Sequence, residues 1–392
     1  MKHKILSGLF VLALLATGCI SEFNAELPDH DEQILVVEGN VVGDTDAIFY
    51  LSKSFPLNSP GVPEEIFNVN ANLTVVGSNG YKSSPAIYLG RGSYRVSVGE
   101  LDDEVEYGIQ IEYDGNTYQS TFSKPFHTPD IDSVSWIQPE EAGTVFFHVS
   151  THDDAKGAKF FMWNYTENWE ISAYYYTTIF LDLEDTIFYS KSPAPYYYCW
   201  KSYTSNRFLI GSTESLLENR IINRQLYGNY PDLDRFSMLY SVTVYQTAIS
   251  KNAFDYYQNR ILLNEEMGGL FTPQPSELRG NINCITDPSK KVMGYVEIVK
   301  NTTQKRIFIK PGEISRPRIY YNCDVISNDS VKNYLDEYNL TYADFYRMGY
   351  RPAGEASMMG NFPDEWALVS CTDCTSAGGT KNKPDFWPND HQ

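Results

Sequence analysis

The sequence predicts a mainly β protein: an N-terminal immunoglobulin-like or prealbumin-like β-sandwich, then a larger β-rich domain with a few helices. Three observations carry this. Short runs alternate apolar with polar residues, glycine- and asparagine-containing turns separate them, and the composition is 42% apolar and 15% aromatic, too rich in core-forming side chains for a disordered chain.

The first elements are short. Ile34 to Gly39 reads as an apolar strand, Ala47 to Ser52 as another, and Ala71 to Val76 alternates Leu73 and Val75 with polar neighbours. Ser78-Asn79-Gly80 and Gly90-Arg91-Gly92 mark turns. Asp114-Gly115-Asn116 joins the alternating runs Tyr107–Tyr113 and Thr117–Phe122 as a hairpin, since Asp-Gly accepts the positive φ angles of a tight primed turn. Strands at this spacing predict a sandwich over residues 34–128. Pro125 and Pro129, ahead of Asp130-Ile131-Asp132-Ser133-Val134, place a boundary where missing backbone donors suit a chain leaving one sheet for another.

Residues 129–392 form the second predicted domain. Its strands are Val145–Val149, Lys159–Tyr165, Tyr174–Phe180, Arg207–Gly211, Tyr240–Gln246, Lys291–Lys300 and Lys305–Ile309. A helix is expected near 250–267: Ser250 can cap it, Phe254, Tyr257, Ile261 and Leu262 recur at helical spacing, and Gly268-Gly269 can end it. Shorter helices are expected at Asp329–Tyr338 and Tyr342–Met348, before an irregular, cysteine-containing C-terminal segment.

The N-terminus reads as an address. Lys2 and Lys4 precede an apolar stretch, Ile5 to Ala16, of about twelve residues, short of the roughly 20 that span a bilayer. Residues 1–18 are therefore expected to be a removed signal peptide. Thr17-Gly18-Cys19 fits the lipobox pattern, leaving Cys19 to carry a diacylglycerol and an acyl chain such as palmitate. Several chains together anchor stably where one is marginal. Residues 19–33 carry Glu22, Glu26, Asp29, Asp31 and Glu32 with no Lys or Arg, as suits a solvated tether.

Charge narrows the partners. Acidic residues number 50 against 31 basic; without Lys2 and Lys4 the mature chain has 29 basic residues and a net charge near −21. That balance excludes nucleic acid and anionic headgroups as electrostatic partners. No cofactor is expected.

Beyond Cys19, the cysteines are Cys199, Cys284, Cys323, Cys371 and Cys374. In an oxidising envelope this odd set is most simply two disulfides and a free thiol, with connectivity open. Cys371-Thr372-Asp373-Cys374 also reads as a redox motif or half of a zinc site, though no thioredoxin-like pattern surrounds it.

Catalytic signatures are missing. No G-x-S-x-G elbow, H-E-x-x-H, phosphate-binding loop or dinucleotide fingerprint occurs. His148 and His152 lie about 13 Å apart along a strand, too far for one ion. Asp182, Glu184 and Asp185 read as a solvated strand end. A pair of carboxylates from the 50 acids would support the alternative of a secreted cell-envelope hydrolase acting on glycan or peptide.

Aromatic clusters are the better lead. Tyr174-Tyr175-Tyr176 and Tyr196-Tyr197-Tyr198 with Trp200 place rings on both faces of strands, the second cluster beginning on a loop after Pro193-Ala194-Pro195. One face packs in the core. The other offers stacking surface to a glycan or peptide ligand or to another protein, with Tyr174, Tyr176, Tyr196, Tyr197, Tyr198 and Trp200 as candidates.

Several motifs together resemble the DUF4249 lipoproteins of Bacteroidetes. They are Leu35-Val36-Val37-Glu38-Gly39, Asp130-Ile131-Asp132-Ser133-Val134, Cys199-Trp200, and Gly268-Gly269-Leu270-Phe271 with Pro273-Gln274-Pro275-Ser276 before Gly280-Asn281-Ile282. Lys305-Arg306-Ile307-Phe308-Ile309 follows, then Cys371 to Cys374 leading through Gly378-Gly379-Thr380 to Lys383-Pro384-Asp385-Phe386-Trp387. The acidic tether also resembles the export signal of surface lipoproteins in that phylum. The resemblance implies an outer-membrane lipoprotein accessory to a TonB-dependent transporter, and it brings no catalytic residues. The expected role is a non-catalytic protein, lipid-anchored at the outer membrane and exposed at the cell surface or facing the periplasm, that binds a ligand or docks on that transporter.

Overall fold

A computed structural model describes residues 33–55, 61–154, 157–184, 187–231, 234–266, 278, 280–317, 322–355 and 362–388. The chain is mainly β, as its patterning predicts.

The first sandwich faces a five-stranded sheet against a four-stranded one. Strand order in the first is Val292–Gly294, Leu35–Glu38, Asp46–Lys53, Ser93–Ser97 and Ile87–Gly90. In the second it is Ile282–Cys284, Asn116–Ser120, Tyr107–Tyr113 and Ala71–Gly77. Alternation decides what lies inside: Leu35, Val37, Phe49, Leu51, Tyr94 and Val96 face Leu73, Val75, Ile109, Ile111 and Tyr118 across one core. The Asp114-Gly115 turn has both φ angles positive, 50° and 72°, so Tyr113 pairs directly with Asn116.

This sandwich does not stop at residue 128. Ile282–Cys284 pairs antiparallel with Tyr118–Ser120, Val292–Gly294 runs parallel to Leu35–Val37, and Ile298–Val299 runs parallel to Val41–Val42. The run Lys291–Lys300, expected as one strand of the second domain, is two short strands of the first. A parallel pair needs a long crossover, and here the crossover contains most of the second sandwich. Gly294 makes the pairing possible. Its φ is +143°, and a Cβ there would lie 2.2 Å from the Val37 carbonyl oxygen.

The second sandwich sets Arg220–Asn229, Val145–His152 and Ile131–Ile137 against Tyr198–Thr204, Phe160–Ser172, Tyr240–Ala248 and Thr303–Ile309. Leu209–Ser212 pairs with the first part of Phe160–Ser172. The core is aromatic: Tyr227 lies between Phe147 and Tyr165, with ring centroids at 4.6 and 3.6 Å. Arg220–Asn229 escaped sequence reading because Arg220, Asn223, Arg224 and Gln225 break the alternation, and the pairing with Val145–His152 shifts register twice.

The helix Lys251–Glu266 starts at Ser250, whose Oγ accepts from the Ala253 N–H at 3.1 Å. Ala253, Tyr256 and Tyr257 are buried against Phe160 and Ile249. The stop expected at Gly268-Gly269 lies outside the described residues.

The C-terminal unit holds the hairpin Ile179–Asp182 with Ile187–Ser190 and the small sheet Ile326–Ser327, Glu365–Leu368 and Tyr350–Ala353. Its helices are Asn328–Tyr338, capped by Ser327, and Tyr342–Arg347, closed by a Thr341–Asp344 capping box. Val331, Leu335, Phe345 and Trp366 form its core.

Two disulfides hold this unit down, Cys199–Cys374 and Cys323–Cys371, and Cys284 is a buried free thiol. The count agrees with the sequence reading. Cys371 and Cys374 bond to different partners, so their spacing reflects a turn fastened on two sides rather than a redox pair. The bonds close separations of 48 and 175 residues, for which chain entropy gives roughly 4 and 5 kcal/mol in the unfolded-state model.

Three outcomes test the disulfides and the parallel pairing. Non-reducing peptide mapping of a chain starting at residue 20 should recover these two bonds, with Cys284 reacting only after denaturation. Cys323→Ser should cost about 2–5 kcal/mol. Gly294→Ala should lower the urea midpoint by the equivalent of at least about 2 kcal/mol, and a wild-type midpoint would deny that Gly294 enables the parallel pairing.

Candidate functional site

The predicted tyrosines gather, but only Tyr198 lies on a strand; Tyr196 and Tyr197 form the turn before it, as the prolines ahead of them suggest, and the first cluster is not a strand. Residues 174–178 form a loop, and the strand begins only at Ile179. The backbone explains this: Ala173, Tyr175 and Thr178 donate to the carbonyls of Tyr197, Cys371 and Gly354, partners lying on separate segments rather than one neighbouring strand. The Tyr175 hydroxyl donates to the Cys323 carbonyl at 2.5 Å. Tyr176 meets Tyr197 edge-on at 5.0 Å, and Tyr197 meets Tyr198 at 4.6 Å. Burial, with Tyr197 and Glu170 nearby, pushes the Tyr198 hydroxyl pKa up. Tyr196 packs instead on Phe180 at 5.7 Å, under the Lys381 ammonium.

Of this set Tyr174 is the exposed member, at 54%, and the others except Trp200 are half-buried. Trp200 is withdrawn as a stacking surface. It is buried, and its backbone exchanges two hydrogen bonds with Thr380, at 2.8 and 2.9 Å. The C-terminal segment covers it.

A cleft of about 200 Å³ lies elsewhere, on the outer face of the larger sheet of the second sandwich. Met162 pairs with Thr247 and Asn164 with Tyr245 across two adjacent strands, all four pointing away from the core that holds Trp163 and Gln246. Residues Ser205 to Phe208 form a wall. That wall is fixed. The Ser205 N–H donates to the Tyr165 carbonyl at 2.9 Å, the Arg207 N–H to Ser205 Oγ at 3.2 Å, and Phe208 stacks on Tyr257 at 4.9 Å with the Arg260 guanidinium 4.6 Å from its ring. The C-terminal segment covers the sheet beyond the cleft, where Arg306 donates to Thr243 Oγ1 and lies 3.3 Å over Phe386.

What distinguishes the cleft is unused polarity. Among the described residues the side chains of Asn164, Asn206, Arg207 and Thr247 and the Tyr245 hydroxyl have no internal hydrogen-bond partner, and the Tyr245 ring has no aromatic neighbour. Convergent polar groups beside a flat ring are the usual lining of small-molecule pockets. Sequence reading placed Asn164 and Tyr245 in strands but missed the site, since its residues come from three separated segments. The signal was available: a polar residue on the outward phase of an aromatic strand. A second concavity, at the Asp114-Gly115 hairpin tip, is lined by groups already engaged, such as Asn72, which donates to Glu112, and Asn116, which accepts from Thr286.

The buried carboxylates are otherwise engaged. Glu167, inside the second sandwich, accepts from the Tyr240 hydroxyl and the Asn229 amide, with Arg235 at 3.9 Å stacked over Trp169. Glu297 accepts from the Ser250 N–H at 2.9 Å and its hydroxyl at 2.7 Å, and burial pushes its carboxyl pKa up. Asp182 accepts from the Glu184 N–H as a turn, and Asp185 lies outside the described residues. His152 Nδ1 bonds Asp132 at 2.7 Å, while His148 is buried. Among the described residues no three His, Cys, Asp or Glu side chains gather to hold a metal.

Residues 20–305 match the model of a family described as a domain of unknown function (DUF4249), and the chain belongs to that family. The match ends inside Thr303–Ile309, so the motifs read from Cys371 to Trp387 lie beyond it. No curated protein matches the chain. Among solved structures, a two-domain fibronectin type-III segment of chicken tenascin is similar at 12% identity, over 55% of this chain and 91% of that one, with a TM-score of 0.15; a score that low supports no argument.

The aromatic core beneath the cleft sets an alkaline limit. Burial, with Glu167 nearby, pushes the Tyr165 hydroxyl up to about 12, and Tyr227 and Tyr240 are raised too. A raised folded-state pKa means a contribution present below the unfolded value near 10 and lost as pH climbs toward 12. Melting temperature should hold to about pH 10 and fall steeply above it; a flat profile to pH 12 would contradict these shifts.

Proposed function

We propose that this DUF4249 chain is a non-catalytic, outer-membrane lipoprotein of Bacteroidetes that binds a small polar ligand as an accessory to a TonB-dependent transporter. The observation that carries the reading is the convergence of five polar side chains without internal partners on one preformed cleft. Binding, rather than turnover, suits a site whose lining is amide, hydroxyl, guanidinium and ring, with no carboxylate or imidazole.

The address supports the same reading. Cys19 supplies the anchor, and residues 20–33 supply a solvated tether. Among the described residues no helix is long and apolar enough to cross a membrane. Tyr174 and the edge of the tyrosine cluster offer contact area to a partner such as the transporter.

Labelling cells with radioactive palmitate should mark the wild type and not Cys19→Ser, which should leave the membrane fraction. Protease shaving of whole cells then separates cell-surface from periplasmic display. For the site, Tyr245→Ala should weaken binding of the best hit from a glycan and peptide screen by at least about 10-fold, the scale of one lost ring contact with its polar tip. Its melting temperature should stay within a few degrees of wild type; unchanged affinity would remove the cleft from the function.

A further inference from the structure

Resting on that ligand-binding reading, we infer that the cleft takes an acidic sugar: a pyranose ring against Tyr245, with its carboxylate on Arg207. Four features point to this class. Arg207 is the one charged residue lining the cleft, and among the described residues no carboxylate pairs with it. In a chain with 50 acidic residues to 31 basic, a guanidinium left without an acid in a concave site is set for an anion from outside. Its planar fork fits a carboxylate with two parallel hydrogen bonds.

The remaining lining excludes a bare anion. Asn164 and Asn206 each offer a donor pair and an acceptor, and Thr247 and the Tyr245 hydroxyl each offer both. Such a mixed set matches neighbouring hydroxyls on a ring, which both give and take hydrogen bonds, whereas phosphate or sulfate would leave the acceptors unused. Size agrees. At about 200 Å³ the space falls below the roughly 300–1,000 Å³ of pockets that enclose drug-sized ligands, so it receives one ring-sized unit, free or at the end of a chain.

The platform for stacking is also specific. Phe208 is occupied by Tyr257 and Arg260, which leaves Tyr245 as the ring open to the cleft. Arg306, one strand away, interacts electrostatically with Tyr245, but it is engaged by Thr243 and Phe386. Because the chain is strongly negative, an acidic sugar gains no long-range attraction. Affinity must come from contact at Arg207 and is sensitive to salt only at short range.

The test uses the chain from residue 20, titrated by ligand-observed NMR and calorimetry with galacturonic acid, glucuronic acid and N-acetylneuraminic acid, and with galactose and glucose as neutral counterparts. At least one acid should bind at least about 10-fold more tightly than the neutral sugars. Arg207→Ala should erase that preference, bringing the acids down to the affinity of the neutral sugars, Arg207→Lys should restore part of it, and Tyr245→Ala should weaken acid and neutral sugars together. Equal binding of acid and neutral forms, or a preference that survives Arg207→Ala, overturns the inference while leaving the cleft a sugar site. If none of the five sugars binds, the inference is overturned outright; the ligand-binding reading then stands only if a screening hit is lost in Tyr245→Ala.

Discussion

The return of the chain to its first sandwich is the constraint on which the rest depends. Residues 282–299 add strands to both sheets of a sandwich begun at residue 35, so both ends of the second sandwich are tied to the same body. The parallel ladder between Leu35–Val37 and Val292–Gly294 is only three residues long. Its neighbours reinforce it: the Asn281 amide donates to the Val296 carbonyl and its oxygen accepts from the Val296 N–H, at 2.8 and 2.9 Å. Without the return, Ile282, Val296 and Ile298 leave the first core, and its exposed edge would be open to pairing with other chains.

From that return a line of contacts leads to the cleft. Glu297, in the returning segment, receives Ser250 at the start of the helix Lys251–Glu266. Arg260 of that helix pairs with Glu38 in the first sandwich, and Tyr257 of the same helix supports Phe208 in the cleft wall. Burying Glu297 is unfavourable, as its raised pKa records, and two hydrogen bonds offset part of that cost. The helix is thereby positioned by a polar contact as well as by Ala253 and Tyr256 in its core. Rigid support of this kind limits the ordering entropy that a bound ligand would otherwise have to overcome.

Much of this was legible in the sequence, and the failures share a cause. Local signals worked: the Tyr107–Ser120 hairpin, the helix capped by Ser250, the helices after Asn328 and Thr341, and the tally of paired cysteines all follow from alternation, caps and parity. What failed was whatever depends on distant partners. Gly294 looks like an interruption in a strand until Val37 is placed beside it. Trp200 reads as an exposed aromatic until Thr380 covers it. Tyr174 to Thr178 has the composition of a strand, yet its backbone groups are taken by Tyr197, Cys371 and Gly354. The cleft is the extreme case, since no window of sequence holds Asn164, Arg207 and Tyr245 together.

The C-terminal unit bears on why the cleft lies where it does. A sheet with one face on the core leaves the other to water or to a cover, and here the cover is partial. The Trp200–Thr380 pairing, the Arg306–Phe386 contact and the packing of Trp387 on Phe308 at 5.7 Å lay the last residues over one part of the outer face. Cys199–Cys374 fixes the turn that directs them. At the other end of the strands, the helix Lys251–Glu266 and Phe208 form the second margin. Between these two covers Asn164, Tyr245 and Thr247 remain open. The family match stops at 305, before the cover begins, so one margin of the cleft is built by residues beyond the matched segment. In a family sharing the sandwiches, a different C-terminal cover would change how much of this outer face is open without altering either core.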